Sequence, residues 1–124
     1  MITLKTLEQA SRQEVFDQVA THLLRQNLKA VTIGGNCQYR VECPSGSCLK
    51  CAAGCLIGDE DDFDHEVYGN LEWPLLVNDG VVPDSHVDII LRLQRIHDKV
   101  SPEYWEGALR GLAATEQIFW QIKK

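Results

Sequence analysis

Apolar positions early in the chain recur with a helical period. Val15, Phe16, Val19, Ala20, Leu23 and Leu24 fall on one side of a 3.6-residue repeat. Ser11 and Glu14 precede them at the spacing of a capping box, in which the hydroxyl accepts from a free backbone N–H and the carboxylate reaches back. The pattern predicts a helix over residues 11 to 26. The next pattern has period two: Cys37, Tyr39, Val41 and Cys43 alternate with Gln38, Arg40 and Glu42, as in a half-buried strand. A β-branched stretch from Val31 to Ile33 and a break at Gly34-Gly35 come before it, and Pro44-Ser45-Gly46-Ser47 after it is a turn by composition. Cys48 to Ile57 fits either a returning strand or a short helix, because Cys51, Cys55 and Leu56 can share a helical face.

Beyond an acidic run at residues 59 to 66, the punctuators Gly69, Pro74, Asn78-Asp79-Gly80 and Pro83 forbid a long helix and predict loops around short extended pieces. Asp84 or Ser85 is placed to cap a helix running to about Val100, with His86, Ile89, Ile90, Leu93, Ile96, His97 and Val100 on one face. Ser101 as cap and Pro102 at the first position start another, whose apolar side is Trp105, Ala108, Leu109, Leu112 and Phe119. The expected fold is therefore α+β: an N-terminal helix, a small central cysteine-bearing hairpin or short sheet, and two C-terminal helices.

Length and composition narrow this further. At 124 residues the chain is expected to form one domain over 1–124, large enough to need neither metal nor disulfide to fold. No apolar run suggests a membrane span, and the start of the chain lacks a basic stretch followed by an apolar block. A cytoplasmic setting is expected, one that does not sustain disulfides. With 18 acids against 12 bases the net charge is −6, which disfavours direct binding to a phosphate backbone and leaves a basic protein partner open.

All five cysteines lie between residues 37 and 55. Cys43, Cys48, Cys51 and Cys55 have the residue types and short spacings that can wrap one tetrahedral zinc. Structural zinc sites usually separate two knuckles by a longer loop, whereas these thiols are crowded. The competing reading makes Cys51 and Cys55 small buried apolar groups. A Cys43–Cys48 link across the turn is a third option that a reducing compartment opposes.

The strings Cys37-Gln-Tyr39-Arg40 and Cys51-Ala-Ala-Gly54-Cys55-Leu56-Ile57, then acids, then Gln94-Arg-Ile-His97-Asp98, carry a resemblance over most of the chain. It resembles a group of small uncharacterised proteins of tailed-phage genomes and of bacterial genomes carrying prophages. The resemblance implies a setting rather than a reaction, and no catalytic residue comes with it. The turn between the two motifs is variable in that group, which implies that Cys43 and Cys48 are particular to this chain and counts against a zinc site shared by the group. A phage setting implies a small accessory protein that binds and inhibits or redirects a host enzyme, such as one of nucleic-acid-guided or restriction defence, by analogy alone.

Other candidates follow from chemistry. Cys51 or Cys55 with His97 has the types for thiol catalysis. Adjacent helical residues point about 100° apart, so Asp98 is expected to be poorly placed to orient His97, and His97 is expected to edge an apolar face. His86 and His97 lie about 16 Å apart on a helix, too far for one ion. Tyr39 should face the core with its hydroxyl seeking a partner, and Arg40 should pair with Asp59 or Glu60 or hold a bound anion. Asp59, Glu60, Asp61, Asp62, Asp64 and Glu66 do not fit a calcium loop; they are expected to be exposed and to contact a basic surface. No phosphate-cradling glycine loop or serine elbow is present. Three function classes result: a binding protein for a basic site on a host nucleic-acid-handling enzyme, a zinc-stabilised interaction module, and a cysteine-dependent enzyme.

Overall fold

One face of the first helix organises the molecule. The computed structural model describes residues 1–32, 37–43 and 48–123. Helix α1 (Arg12–Gln26) starts at the predicted capping box, with Glu14 N–H donating to the Ser11 hydroxyl and Ser11 N–H donating to the Glu14 carboxylate. It ends at Asn27 in the left-handed region (φ 52°), a conformation asparagine tolerates better than most residues. Val15, Phe16, Val19, Ala20 and Leu23 are buried on it, as their period predicts. Strands β1 (Arg40–Glu42) and β2 (Cys48–Lys50) pair antiparallel, with Arg40 opposite Lys50, Val41 opposite Leu49 and Glu42 opposite Cys48. The Gly34-Gly35 break, Ile33 and the Pro44–Ser47 turn lie outside the described residues.

Both readings of 48 to 57 hold in part: β2 is followed by a 3-10 turn, Ala53–Leu56. That turn packs against α1 and against helix α4 (Val87–Lys99). Between them, residues 67 to 83 are not extended pieces. They contain the end of a one-turn helix, α2 (His65–Tyr68), and all of a short one, α3 (Trp73–Asn78). Asp64 caps α2 by accepting from Glu66 and Val67 N–H, and Pro74 sits in the first turn of α3, where its missing N–H costs nothing. Helix α5 (Trp105–Thr115) follows a 3-10 turn at Pro102–Tyr104, so the residues after Ser101 begin more tightly wound than predicted.

The α+β architecture is as expected, with two short helices added before the last two. Leu7, Phe16, Leu23, Leu56, Leu76, Ile89, Leu93, Trp105 and Leu109 are fully buried and form one core. Two details differ from the pattern. Neither Asp84 nor Ser85 caps α4; His86 holds the cap position at φ 62°, and its Nε2 donates to the Ala10 carbonyl (2.7 Å) instead. Phe119 is exposed, because Gln117 turns the chain in the left-handed region (φ 57°) and Trp120, not Phe119, packs on Phe16. Among the described residues no helix is long and apolar enough to cross a membrane.

A polar border beside the apolar face of α1 ties down the neighbouring backbone. The Gln18 amide donates to the carbonyls of Ile2 and Cys55 and accepts from Ile2 N–H. His22 Nε2 and Gln26 Nε2 both donate to the Lys50 carbonyl, and Gln26 Oε1 accepts from Lys50 N–H. These contacts fix β2 and the 3-10 turn against α1, and so fix what the turn presents to α4.

Candidate functional site

Where α4 ends, three side chains of different chemistry meet. The ligand atoms of Cys37, His97 and Asp98 all lie within 4.8 Å of one another, the one such set of His, Cys or acidic groups among the described residues. The set offers sulfur, nitrogen and oxygen, and is capable in principle of coordinating a metal ion. Cys37 is placed by an isolated antiparallel bridge to Val31, and His97 and Asp98 by the last turn of α4.

Hydrogen bonds define the cluster. His97 Nδ1 donates to Asp98 Oδ1 (2.8 Å), and Ala30 N–H donates to His97 Nε2 (2.9 Å). A neutral imidazole has one donor and one acceptor, so this pairing puts the proton on Nδ1. Gln94 Nε2 also donates to Asp98 Oδ1 (2.8 Å), while Gln94 Oε1 accepts from Ala53 N–H at the 3-10 turn (2.9 Å). The Cys37 thiol lies within 4.8 Å of the same carboxylate. Burial alone would raise the Asp98 pKa; the polar contacts with His97, Cys37 and Gln94 outweigh it and hold the carboxyl below the ordinary range. Burial, then the Asp98 carboxylate, pushes the Cys37 thiol up to about 11. Lys29 Nζ donates to the Asp98 main-chain carbonyl (3.1 Å), closing the cluster on the side of residues 29–30.

Asp98 therefore does orient His97, against the expectation from helical geometry. The two Cα–Cβ bonds diverge, but the side-chain torsions of aspartate bring its carboxylate back across one residue to Nδ1. The expectation that His97 is a core histidine is met: it is fully buried and stacked 5.6 Å from Trp105.

The four cysteines proposed for zinc do not form a converging set. Cys48 sits on β2, where its sulfur accepts from Arg40 Nε (3.3 Å). Cys51 is turned into the core by the 3-10 turn and accepts from Gly54 N–H (3.4 Å). Cys55 lies on the same turn, its carbonyl held by Gln18, and Cys43 is half-buried at the end of β1. All five cysteines are free thiols. Neither Cys51 nor Cys55 belongs to the set that holds His97. Burial pushes the Cys51 thiol far up and the Cys55 thiol to about 12, opposite to what a nucleophilic thiolate needs.

The acidic run divides. Five of its six acids, Asp59, Glu60, Asp62, Asp64 and Glu66, are exposed, as expected. Asp61 is half-buried and accepts from Leu4 N–H (2.9 Å) and Gly58 N–H (2.6 Å), pinning the N-terminal segment to the loop. Asp64 is the α2 cap, and Asp59 faces Lys50 (3.6 Å) and Arg40 (3.8 Å). Three carboxylates of the run thus serve the fold. Arg40 also meets Glu42 (3.4 Å), so its cation faces acids. The Tyr39 hydroxyl finds its partner in the Leu71 carbonyl (2.5 Å).

A cleft of about 370 Å³ opens beside the cluster between the segment Cys37, Gln38 and Tyr39, the start of α3 and α4; Cys37 and Asp98 are in its wall. Sequence reasoning noted His97 and Asp98 but not the third member, Cys37, nor Gln94, which links the cluster to the 3-10 turn. Only tertiary contact brings Cys37 to α4, and no local spacing signals it. Comparison with known family models, curated proteins and solved structures finds no significant match to this chain.

Proposed function

We propose that this domain is a metal-stabilised binding module in which Cys37, His97 and Asp98, rather than the four crowded cysteines, take a zinc-type ion at the wall of the cleft. The observation that supports the reading is the convergence of a thiol, an imidazole and a carboxylate from two distant stretches of chain. An ion there would join the segment at Cys37 to the end of α4, and three protein ligands would leave a position for water or a bound group.

Uptake has a defined chemical cost. The thiol proton must leave, while His97 keeps its one ring proton on the nitrogen that does not ligate, so binding releases a proton and strengthens with pH. If Nδ1 ligates the ion, the ring proton moves to Nε2, and Ala30 N–H loses its acceptor. That hydrogen bond favours a second reading, in which the cluster is a metal-free hydrogen-bonded clasp and binding belongs to the cleft alone.

Zinc titration of chelator-treated protein, read by metal content and by the Ala30 amide in NMR, separates the two. The metal reading expects about one ion per chain, a shifted and less protected Ala30 amide, and loss of uptake in Cys37→Ser and Asp98→Asn. A folded Cys43→Ser/Cys48→Ser variant should retain the ion. An Ala30 amide unchanged by excess zinc, with no ion retained, establishes the clasp.

A further inference from the structure

Charge and chemistry in the cleft point to its occupant, independently of any ion. The chain carries a net charge of −6. Even so, Arg95 and Lys99, one turn apart on α4, both line the cleft and have no ion pair among the described residues. Four other basic residues are paired: Arg40 and Lys50 face Asp59, and Arg12 and Arg92 share Glu116. Asp98, a half-buried acid in the wall, has its carboxylate occupied by donors from Gln94 and His97.

Part of the remaining lining is apolar and aromatic, beside the polar Gln38, Asn70, Glu72 and Gln94. Tyr39 and Trp73 pack edge to face with centroids 5.8 Å apart, and Pro74 and Leu91 add aliphatic surface. Trp73 is 2% exposed, and its indole N–H is buried without a hydrogen-bond partner among the described residues. Such an orphan donor is uncommon and favours an incoming acceptor. The unpaired cations and the apolar part of the wall ask for the same ligand. The volume, about 370 Å³, equals roughly a dozen waters at about 30 Å³ each, the space of a one- or two-ring molecule.

We infer that the cleft binds a small organic anion: a flat apolar body carrying a carboxylate-type group that reaches Arg95 and Lys99. Guanidinium and ammonium groups supply the charge recognition, and the aromatic walls hold the body. Glu72, on the cleft wall contributed by the start of α3, would repel a second anionic group, so a monoanion fits better than a dianion.

The test uses the isotope-labelled full chain with a chelator present, so that its outcome is separate from the metal reading. 2-Naphthoate and its neutral counterpart 2-naphthamide are titrated while the Trp73 indole N–H signal is followed. The expected result is saturable movement of that signal, with naphthoate binding roughly tenfold or more tightly than the amide. The folded double variant Arg95→Gln/Lys99→Gln should bind both probes equally, at the level of the amide. Equal binding of the two probes to the wild type overturns the charge recognition. Absence of a Trp73 response to either, or shifts confined to residues outside the cleft, overturns the site.

Discussion

Gly54 is where the fold around the cleft is most sensitive to a single methyl group. A Cβ added there would lie 2.0 Å from the Tyr39 carbonyl oxygen, 2.8 Å from its carbonyl carbon and 3.0 Å from its Cα. All three are backbone atoms, so no side-chain rotation relieves the clash. The Tyr39 peptide would have to retreat by roughly 1 Å. It is held from several sides: its N–H donates to the Gly69 carbonyl (3.0 Å), its carbonyl accepts from Cys51 N–H (3.4 Å), and its ring packs on Phe63 and Trp73. Overpacking costs about 1–3 kcal/mol and each displaced hydrogen bond about 1 kcal/mol, against a gain of under about 1 kcal/mol from replacing glycine. Gly54→Ala should therefore lose about 3 kcal/mol. For a chain of this size that is a fall of roughly 10 °C in Tm. Circular dichroism melts and urea titrations measure it. Gly107, inside α5 with nothing within 4 Å of its would-be Cβ, is the control. Gly107→Ala should gain about 0.5–1 kcal/mol from helix propensity. A Gly54→Ala protein melting within a few degrees of the wild type would refute the close approach of the 3-10 turn to Tyr39.

Two further outcomes follow from groups outside the cluster. Within the acidic run, Asp61→Asn should cost about 1 kcal/mol, because it weakens charge-assisted bonds from Leu4 and Gly58, whereas exposed Asp62→Asn should stay within about 0.5 kcal/mol of the wild type in the same urea titration. Burial, together with the nearby Lys50 and His97, holds the His22 pKa below its ordinary value despite the bond to the Lys50 carbonyl. The unfolded chain then takes up a proton before the folded one does, so this contribution to stability is complete above about pH 6.5 and declines as pH falls through that value. His22→Gln should flatten the acid limb of the stability–pH curve measured by urea titration; an unchanged slope would contradict the assignment.

How far the chain could be read without its structure depends on the range of the interaction. The Ser11–Glu14 box and the buried stripe of α1 are local, and so is the Ile89, Ile90, Leu93 face of α4; each is set by neighbours three or four positions away. The short helices α2 and α3 were hidden because Gly69 and Pro74 read as loop punctuation, although glycine here follows a helix and proline begins one. Phe119 fitted the helical period of α5 but lies beyond a left-handed residue that ends it. The cluster was half legible. His97 and Asp98 carried the right chemistry, but their mutual hydrogen bond depends on side-chain torsions that periodicity ignores. Cys37 reaches them only through the tertiary fold. The unbranched amides Gln18, Gln26 and Gln94, each answering backbone or buried groups far along the chain, look in sequence like ordinary surface residues.

The Gln26 side chain has a consequence for how this protein behaves at high concentration. Its amide gives a donor to the carbonyl of Lys50 and an acceptor to the N–H of the same residue. A neighbouring strand would offer Lys50 the same pair of groups. A two-stranded ribbon has two open borders, and each is a template on which another copy of the chain can be laid down. Along β2 that template is already read at Lys50 by a side chain borrowed from α1, so an incoming strand would first have to evict an amide anchored to a helix. The border is blunted against fibril growth there by a hydrogen-bonded amide in addition to the charge of Lys50.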